Sequence, residues 1–219
     1  MKEYGYYLFD YDLTLADTRK GISDSMRQAI MKHPEVKGYD SVTNEQAIAV
    51  IGMPLEKGMK QLVPFADEEM IEILSDEYMK CAEEYMLDGS TVYPETLETF
   101  KKIRGSGAKI AIVSLKHSRF VKDGIEHFGL SDYVDVVIAA DDVTEPKPSP
   151  QAILMAMEKF NISDKSRILY VGDSHFDAET AKNAGVDFVG VTTGTTSYER
   201  LAEYPHVKIM ESIGELLTD

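Results

Sequence analysis

Short runs of apolar residues recur along the chain and predict the strands of a buried sheet. Each run is rich in Val, Ile, Tyr or Phe and ends at a polar, acidic or glycine-containing stretch, as buried strands do. The runs span residues 4–9, 109–113, 134–139, 167–171 and 187–191.

Helical periodicity fills the gaps between the later runs. The helical patterns span residues 95–104, 118–128, 150–160 and 176–184. Strands that alternate with helices of about ten residues imply a parallel sheet covered on both faces. The pattern therefore predicts an α/β fold with a Rossmann-like parallel sheet as its core.

A long insertion interrupts this alternation after the first strand. Residues 10–108 lie between the first two runs, far more than a normal crossover connection needs. Apolar residues recur in it at helical spacing, at Met70, Leu74, Tyr78, Cys81 and Tyr85. We therefore predict a core of residues 1–16 and 88–219, interrupted by a small all-helical cap domain over residues 17–87.

Charged residues in the insertion are mostly acidic. Eight acids and one base, Lys80, lie within residues 67–84, mostly off the apolar stripe. A solvated helix face explains this pattern better than an interaction tail does.

The overall composition excludes several classes of partner and site. The 219 residues include 23 Lys and Arg against 38 Asp and Glu, a net charge of −15. Such a balance argues against nucleic acid or an anionic membrane surface as a partner. A single cysteine, Cys81, excludes an intrachain disulfide framework and a cysteine-rich zinc site. With no leader or membrane-spanning stretch in the sequence, we expect a cytoplasmic protein.

Two carboxylates follow the first predicted strand, at Asp10 and Asp12. Side chains alternate along a strand, so both are expected on one side, with Tyr11 facing away. Two carboxylates so close together are costly to bury unless a cation or a shared proton reduces the repulsion between them. Mg²⁺ is the simplest such cation. Helix capping by the two aspartates is the alternative.

A second acidic pair, Asp173 and Asp177, follows the strand at 167–171. The turn into the next helix can bring both carboxylates toward one point, although helix capping again explains them. Ser174 as a hydrolase nucleophile activated by His175 is disfavoured. Adjacent residues cannot readily form the required hydrogen bond, and Phe176 replaces the glycine of a nucleophile elbow.

Two further polar residues follow strand ends. Lys147 lies between two prolines, which stiffen its loop, and Ser114 ends the second predicted strand, with Lys116 two residues on. All four motifs therefore follow the carboxyl ends of parallel strands, the edge where open α/β sheets bind ligands. Together, the carboxylates, a metal, a lysine and a hydroxyl suit phosphoryl transfer through a covalent aspartyl intermediate.

These motifs resemble those of the haloacid dehalogenase superfamily, specifically its phosphoglycolate phosphatase-like branch with a helical cap. The matching segments are DYDLT at 10–14, Ser114, KPSP at 147–150 and GDSHFD at 172–177, with VYPETLETFKKI at 92–103 and TTGTTSYERL at 192–201. The chain departs from the family at Leu13, where glycine is usual, and at Glu95, where glycine often follows the hinge proline.

The resemblance implies a role for each site residue. Asp10 would be the nucleophile and Asp12 the general acid and base. Asp10, Asp12 through its main-chain carbonyl, and Asp173 would hold Mg²⁺, with Asp177 as a ligand or a supporting residue. Thr14, Ser114 and Lys147 would bind the phosphoryl group.

The expected substrate is a small phosphorylated metabolite, handled by a monomer or homodimer. The cap is expected to select it, with Met53 and Lys57 as candidate contacts. A plain turn that connects two cap helices is the alternative for the loop containing Met53. A phosphomutase similar to β-phosphoglucomutase is the nearest alternative, although Thr14 favours a phosphatase. A dehalogenase or a non-catalytic regulator with a vestigial site are the others.

Overall fold

A sheet of six parallel strands forms the core of the protein in a computed structural model, which describes residues 2–217. The strands of the chain are β1 (Tyr6–Phe9), β2 (Ala16–Asp17), β3 (Thr91–Val92), β4 (Lys109–Val113), β5 (Val136–Ile138), β6 (Ile168–Gly172), β7 (Asp187–Val191) and β8 (Lys208–Met210). The six-stranded sheet has the order β5-β4-β1-β6-β7-β8, and β2 and β3 form a separate pair. The predicted α/β fold with a parallel sheet is confirmed.

The sheet differs from the sequence prediction at one edge. Five strands were expected, but Lys208–Met210 adds β8 beside β7. This strand has only three residues, two of them partly exposed, so it leaves too short a pattern to recognise. The strands predicted at 4–9 and 134–139 are shorter than expected, because pairing begins only at Tyr6 and Val136.

The helices that follow β3 cover both faces of the sheet, and four more helices lie between β2 and β3 in the sequence. The helices are α1 (Arg19–Met31), α2 (Asn44–Ala49), α3 (Leu55–Leu62), α4 (Glu68–Tyr85), α5 (Thr96–Gly105), α6 (Ser118–His127), α7 (Gln151–Lys159), α8 (His175–Ala184) and α9 (Tyr198–Leu201). No helix within residues 2–217 is long and apolar enough to cross a membrane.

Alternating side chains of the strands divide the core into two layers. Phe9 and Ile112 pack on the face covered by α5 and α6, where Phe100 is fully buried. Leu8 and Tyr170 pack on the opposite face, with apolar residues of α7 and α8. Because both faces are covered, the strands are apolar along almost their whole length, as the sequence indicated.

Strand β1 lies at the centre of the sheet, between β4 and β6. Phe9 at its end aligns with Ile112 of β4 and Val171 of β6. The strand order reverses around β1, since β5 lies beyond β4 whereas β7 and β8 lie beyond β6. The residues that follow β1, β4 and β6 therefore meet at the switch point where α/β sheets bind ligands.

The chain divides into two compact units, Met1–Ala16 with Val92–Asp219, and Asp17–Thr91. The smaller unit contains α1 to α4. Leu74, Tyr78 and Cys81 of α4 are buried in it, and most of the acids at 67–84 are exposed. The backbone at Gly21 lies close to the backbone at Gly89. A Cβ added to Gly89 would lie only 2.4 Å from the Gly21 nitrogen, so glycine is needed for this approach. Residues 1, 218 and 219, inside the range predicted for the core, lie outside the described residues.

Candidate active site

Asp10 is the first residue after β1 and is fixed by both its backbone and its side chain. Its backbone N–H donates to the carbonyl of Val171 at 2.9 Å, and its Oδ1 atom accepts a hydrogen bond from Lys147 Nζ at 2.7 Å. The residue is only 7% exposed. Burial raises the pKa of Asp10 to about 7, although Lys147 opposes the rise.

The turn after Asp10 depends on left-handed backbone at Leu13, which has φ 59°. Leu13 donates to the carbonyl of Ala16 and accepts from the hydroxyl of Thr193, so both sides of its backbone are held. Left-handed backbone is costly for a residue with a Cβ, which explains why glycine is usual at this position. Leu13 is completely buried, and its packing offsets this cost.

Asp173 follows β6 and lies against glycine backbone. Its Oδ1 atom accepts a hydrogen bond from the hydroxyl of Thr14 at 3.1 Å. A Cβ on Gly194, in the loop after β7, would lie 1.7 Å from Asp173 Oδ2, so only glycine fits there. Burial raises the pKa of Asp173 well above its usual range, and the nearby charges of Asp177 and Asp10 raise it further.

Asp177, in the first turn of α8, is held by hydrogen bonds on both carboxylate oxygens. Oδ1 accepts from Lys147 Nζ and the hydroxyl of Tyr170, both at 2.7 Å, while Oδ2 accepts from the backbone N–H and hydroxyl of Ser174. Burial alone would raise the pKa of Asp177, but Lys147, Ser174 and Tyr170 together lower it. Asp177 is therefore a stable anion that anchors Lys147.

Lys147 lies on the loop between β5 and α7 and is 4% exposed. The side-chain carbonyl of Gln151 accepts from the backbone N–H groups of Thr144 and Glu145, and Asn183 donates to the carbonyl of Pro148. These contacts fix the loop on both sides of the lysine. Burial alone would lower the pKa of Lys147, but the two carboxylates it contacts raise it instead.

Asp10, Asp173 and Asp177 form one buried acidic cluster. One oxygen from each lies within 4.8 Å of the others, and among the described residues Lys147 is the ammonium that pairs with members of this cluster. Three carboxylates and one ammonium leave a formal excess of two negative charges, which is costly in a buried site. The cluster therefore fits a divalent cation that prefers hard oxygen ligands.

Asp12 lies outside this cluster and has its own cation. Its Oδ1 atom accepts a hydrogen bond from Lys116 Nζ at 2.8 Å, and the side chains are 14% and 3% exposed. Tyr11, between the two aspartates, is buried in the hydrophobic core. Its ring packs so closely on α6 that a Cβ on Gly124 would lie 2.0 Å from the Tyr11 hydroxyl.

Ser114 follows β4, as the sequence predicted. Its backbone N–H donates to the carbonyl of Ile138, and its Oγ atom accepts from the backbone N–H of Lys116 at 3.1 Å. The hydroxyl is thereby oriented, and its O–H group can donate to an oxyanion. Thr14, expected beside the phosphoryl group, instead directs its hydroxyl to Asp173.

Met53 and Lys57, the candidate specificity residues, belong to the smaller unit. Met53 lies in the turn between α2 and α3 and is partly exposed, whereas Lys57 is an exposed residue of α3. Their contribution to substrate selection stays a prediction.

Sequence reasoning missed three contributors to the site. Lys116 was noted only for its position after Ser114, and Tyr170 reads as an ordinary apolar strand residue. Gly194 lies in the segment TTGTTSYERL, which resembled the family but was given no role in the site. The spacing of Lys116 from Ser114 was the available clue, since a lysine directly after a buried strand needs a partner.

The protein has a doubly wound parallel sheet, with buried acids and a lysine at its switch point. This arrangement is typical of an α/β enzyme. Residues 7–191 match the family model of haloacid dehalogenase-like hydrolases. The chain belongs to this family, and the expectation of an enzyme from its phosphatase branch is confirmed.

Individual proteins of the family are similar over nearly the whole chain. A phosphoglycolate phosphatase of Vibrio vulnificus is 31% identical over 220 residues, which cover 95% of this chain and 92% of that protein. The pyrophosphatase PpaX of Bacillus velezensis is 29% identical, with 96% and 93% covered. A crystal structure of a protein described as a haloacid dehalogenase-like hydrolase, from Bacteroides fragilis, superposes with a TM-score of 0.92 at 34% identity and covers 98% of this chain and 100% of that one.

Proposed function

We propose that the protein is a Mg²⁺-dependent phosphatase that hydrolyses a small phosphomonoester through an aspartyl-phosphate intermediate on Asp10. The observation that carries this proposal is the position of Asp10. One of its oxygens is bound by Lys147, and its carboxylate belongs to a buried cluster with two excess negative charges. A nucleophilic carboxylate needs this combination of fixed orientation and balancing positive charge.

In the first step, Asp10 attacks the phosphorus atom of the substrate. Lys147 holds Oδ1, so Oδ2 is the oxygen that forms the new bond. The ammonium of Lys147 and the hydroxyl of Ser114 bind the phosphoryl oxygens, and Asp12 donates a proton to the leaving oxygen as its bond to phosphorus breaks.

In the second step, water hydrolyses the aspartyl phosphate. Asp12, which has lost its proton to the leaving group, now accepts a proton from the attacking water. The water oxygen bonds to phosphorus, the bond from phosphorus to Asp10 breaks, and inorganic phosphate leaves. One residue therefore serves as acid and then as base.

Asp10, Asp173 and the main-chain carbonyl of Asp12 would hold Mg²⁺. The ion would neutralise the excess charge of the cluster and lower the repulsion between Asp10 and an anionic phosphoryl group. Asp177 already accepts hydrogen bonds on both oxygens. We therefore assign Asp177 the role of holding Lys147 and not that of a direct ligand. Thr14 supports the site by orienting Asp173.

Phosphoglycolate is the substrate we expect first, because relatives that align over nearly the full chain are named phosphoglycolate phosphatase. Pyrophosphate is the second substrate to test, because another relative is named a pyrophosphatase. Substrate selection by Met53 and Lys57, a cytoplasmic location and a monomeric or homodimeric state belong to the same proposal. The charge of −15 supports a small-molecule substrate over nucleic acid.

A turnover screen tests the function. Phosphoglycolate, pyrophosphate, sugar phosphates and nucleotides are each incubated with Mg²⁺ or with EDTA, and released phosphate is measured. We expect Mg²⁺-dependent release, its loss in Asp10→Asn, and a decrease of about 10²- to 10⁴-fold in Asp12→Asn. Full activity of Asp10→Asn would overturn the assignment of Asp10 as the nucleophile. Isomerised sugar phosphate without net release would instead indicate a mutase, and no turnover in the whole panel would favour a non-catalytic protein.

A further inference from the structure

Lys116 is a buried cation that the proposed reaction does not use. Its side chain is 3% exposed, and its Nζ atom lies 2.8 Å from Asp12 Oδ1. A buried ammonium is costly unless a carboxylate offsets it, and removal of one partner of a buried pair costs far more than an exposed pair contributes. The pair therefore determines where the Asp12 carboxylate lies.

The backbone of Lys116 is also part of the site. Its N–H donates to Ser114 Oγ at 3.1 Å, and its carbonyl accepts from Ala140 at 3.1 Å. One residue thus contacts the hydroxyl proposed to bind the phosphoryl group and the carboxylate proposed to move the proton. This backbone anchoring gives the long lysine side chain a fixed starting point.

The backbone around Asp12 is held independently of Lys116. The Tyr11 carbonyl accepts from the N–H groups of Leu15 and Ala16, and the Tyr11 ring is buried. Because these contacts fix the main chain, the lysine is needed only for the side-chain orientation of Asp12. Loss of the ammonium should leave the turn in place and free the carboxylate to rotate.

We propose that Lys116 is a positioning residue that holds Asp12 in the orientation needed for proton transfer to the leaving oxygen. This inference rests on the proposed phosphatase function and adds a residue to it. Lys116 bonds to Oδ1, so Oδ2 is the oxygen that carries the transferred proton.

The inference predicts a dependence on the leaving group. In the first step, the bond between Asp10 and phosphorus forms, the bond from phosphorus to the leaving oxygen breaks, and the proton passes from Asp12 to that oxygen. Dinitrophenolate is stable without this proton, whereas phenolate gains much more from it. A misplaced Asp12 should therefore slow phenyl phosphate far more than 2,4-dinitrophenyl phosphate.

The experiment compares kcat/KM for these two esters in wild type, Lys116→Met and Lys116→Arg, with Mg²⁺ present. The ratio kcat/KM reports formation of the aspartyl phosphate and not its hydrolysis. Lys116→Met should lower the value about 10²-fold for phenyl phosphate and less than about threefold for dinitrophenyl phosphate. Lys116→Arg keeps the charge and should recover part of the phenyl phosphate rate. Lys32→Met, which removes a lysine paired with Glu77 in the smaller unit, is the matched control and should change neither ester.

A double-mutant cycle distinguishes the positioning of Asp12 from a purely structural effect of the Lys116 substitution. In an Asp12→Asn background, Lys116→Met should cause little further loss, because the residue it positions is already disabled. Equal losses for both esters, or additive losses in the double mutant, would overturn the positioning role while leaving the phosphatase function intact. If wild type with Mg²⁺ hydrolyses neither these esters nor any substrate of the turnover screen, the phosphatase function fails and this inference fails with it.

Discussion

Lys147 Nζ lies 2.7 Å from Oδ1 of Asp10, across 137 positions of sequence. The same ammonium contacts Asp177 at 2.7 Å, so one lysine bridges two buried carboxylates. The orientation of the proposed nucleophile and the stability of the site thus depend on this positive charge.

Removal of that charge should damage activity and stability together. In Lys147→Met, two buried carboxylates lose their shared partner, and we expect the free energy of unfolding to fall by about 3–5 kcal/mol. Activity should fall by at least about 10²-fold, the scale for loss of a donor to a transition-state anion. Urea titration and phosphate release measure the two effects.

The control for Lys147→Met is Lys109→Met. Lys109 pairs with Asp135 at 2.9 Å but is half exposed, so its loss should cost less than about 1 kcal/mol. Equal stabilities of the two variants would contradict the importance assigned to the buried pair.

Gly194 should be intolerant of any side chain. Its added Cβ would lie 1.7 Å from Asp173 Oδ2, so Gly194→Ala must displace the carboxylate that we assign to Mg²⁺. We expect the Mg²⁺ concentration for half-maximal activity to rise at least about tenfold, the scale seen when residues that support a metal ligand are changed.

Gly105→Ala provides the matched comparison for Gly194→Ala. A Cβ on Gly105, the last residue of α5, would meet nothing within 4 Å. This variant should keep the wild-type Mg²⁺ dependence and be as stable as wild type or slightly more so. A wild-type Mg²⁺ dependence in Gly194→Ala would show that Asp173 does not hold the ion.

The raised pKa of Asp10 predicts how stability changes with pH and Mg²⁺. The metal-free folded protein keeps the Asp10 proton up to about pH 7, whereas the unfolded chain loses it near 3.8. Between these values the folded state binds more protons, so this group lowers the free energy of unfolding as pH rises, with no further change above about pH 7.

Because Mg²⁺ competes with that proton, its stabilising effect should grow over the same interval. Calorimetry with Mg²⁺ and with EDTA should show a small increase in Tm at pH 5.5 and a larger one at pH 8. Asp10→Asn should reduce the difference between the two pH values, and the remainder comes from Asp173, whose pKa is also raised. An equal increase at both pH values in wild type would contradict the assignment of Asp10 as a ligand.

At Leu13, replacement by glycine should destabilise the protein less than replacement by alanine does, the reverse of the usual order. Leu13→Ala removes a buried side chain and keeps a Cβ in left-handed backbone, so it should cost about 2–5 kcal/mol. Leu13→Gly removes the same packing but relieves the backbone, and should be about 1 kcal/mol more stable than the alanine variant.

In an ordinary helix the order is the opposite. Ala156, in the middle of α7, should lose about 1 kcal/mol on replacement by glycine. Urea unfolding of the variants at both positions gives the comparison. A glycine variant at Leu13 that is less stable than the alanine variant would show that the turn is not strained.

The site could be located from the sequence because parallel strands bring distant motifs to one edge. Asp10, Ser114 and Asp173 each follow a recognisable apolar strand, and a parallel sheet aligns the ends of such strands. The strands were recognisable because burial on both faces leaves continuous apolar runs. Edge strand β8 was missed because its short, half-exposed pattern carries no such signal.

Contacts within the site could not be predicted in the same way. The hydroxyl of Tyr170 reaches Asp177 on the following helix, and this depends on the rotation of α8 over the sheet. The pairing of Lys116 with Asp12 depends on side-chain paths across two loops. Strand periodicity gives the side of the sheet a residue lies on, but not the partner it meets there.

The central place of β1 also sets the order in which the protein can be assembled during synthesis. This strand is made before both of its neighbours, β4 and β6, whose paired residues lie more than a hundred positions downstream. Its apolar side chains therefore remain without sheet partners until β4 has been made, about halfway along the chain, a state that favours aggregation and chaperone binding. Asp10 is thus made long before the residues that surround it, and the site is completed only after β6 has been made.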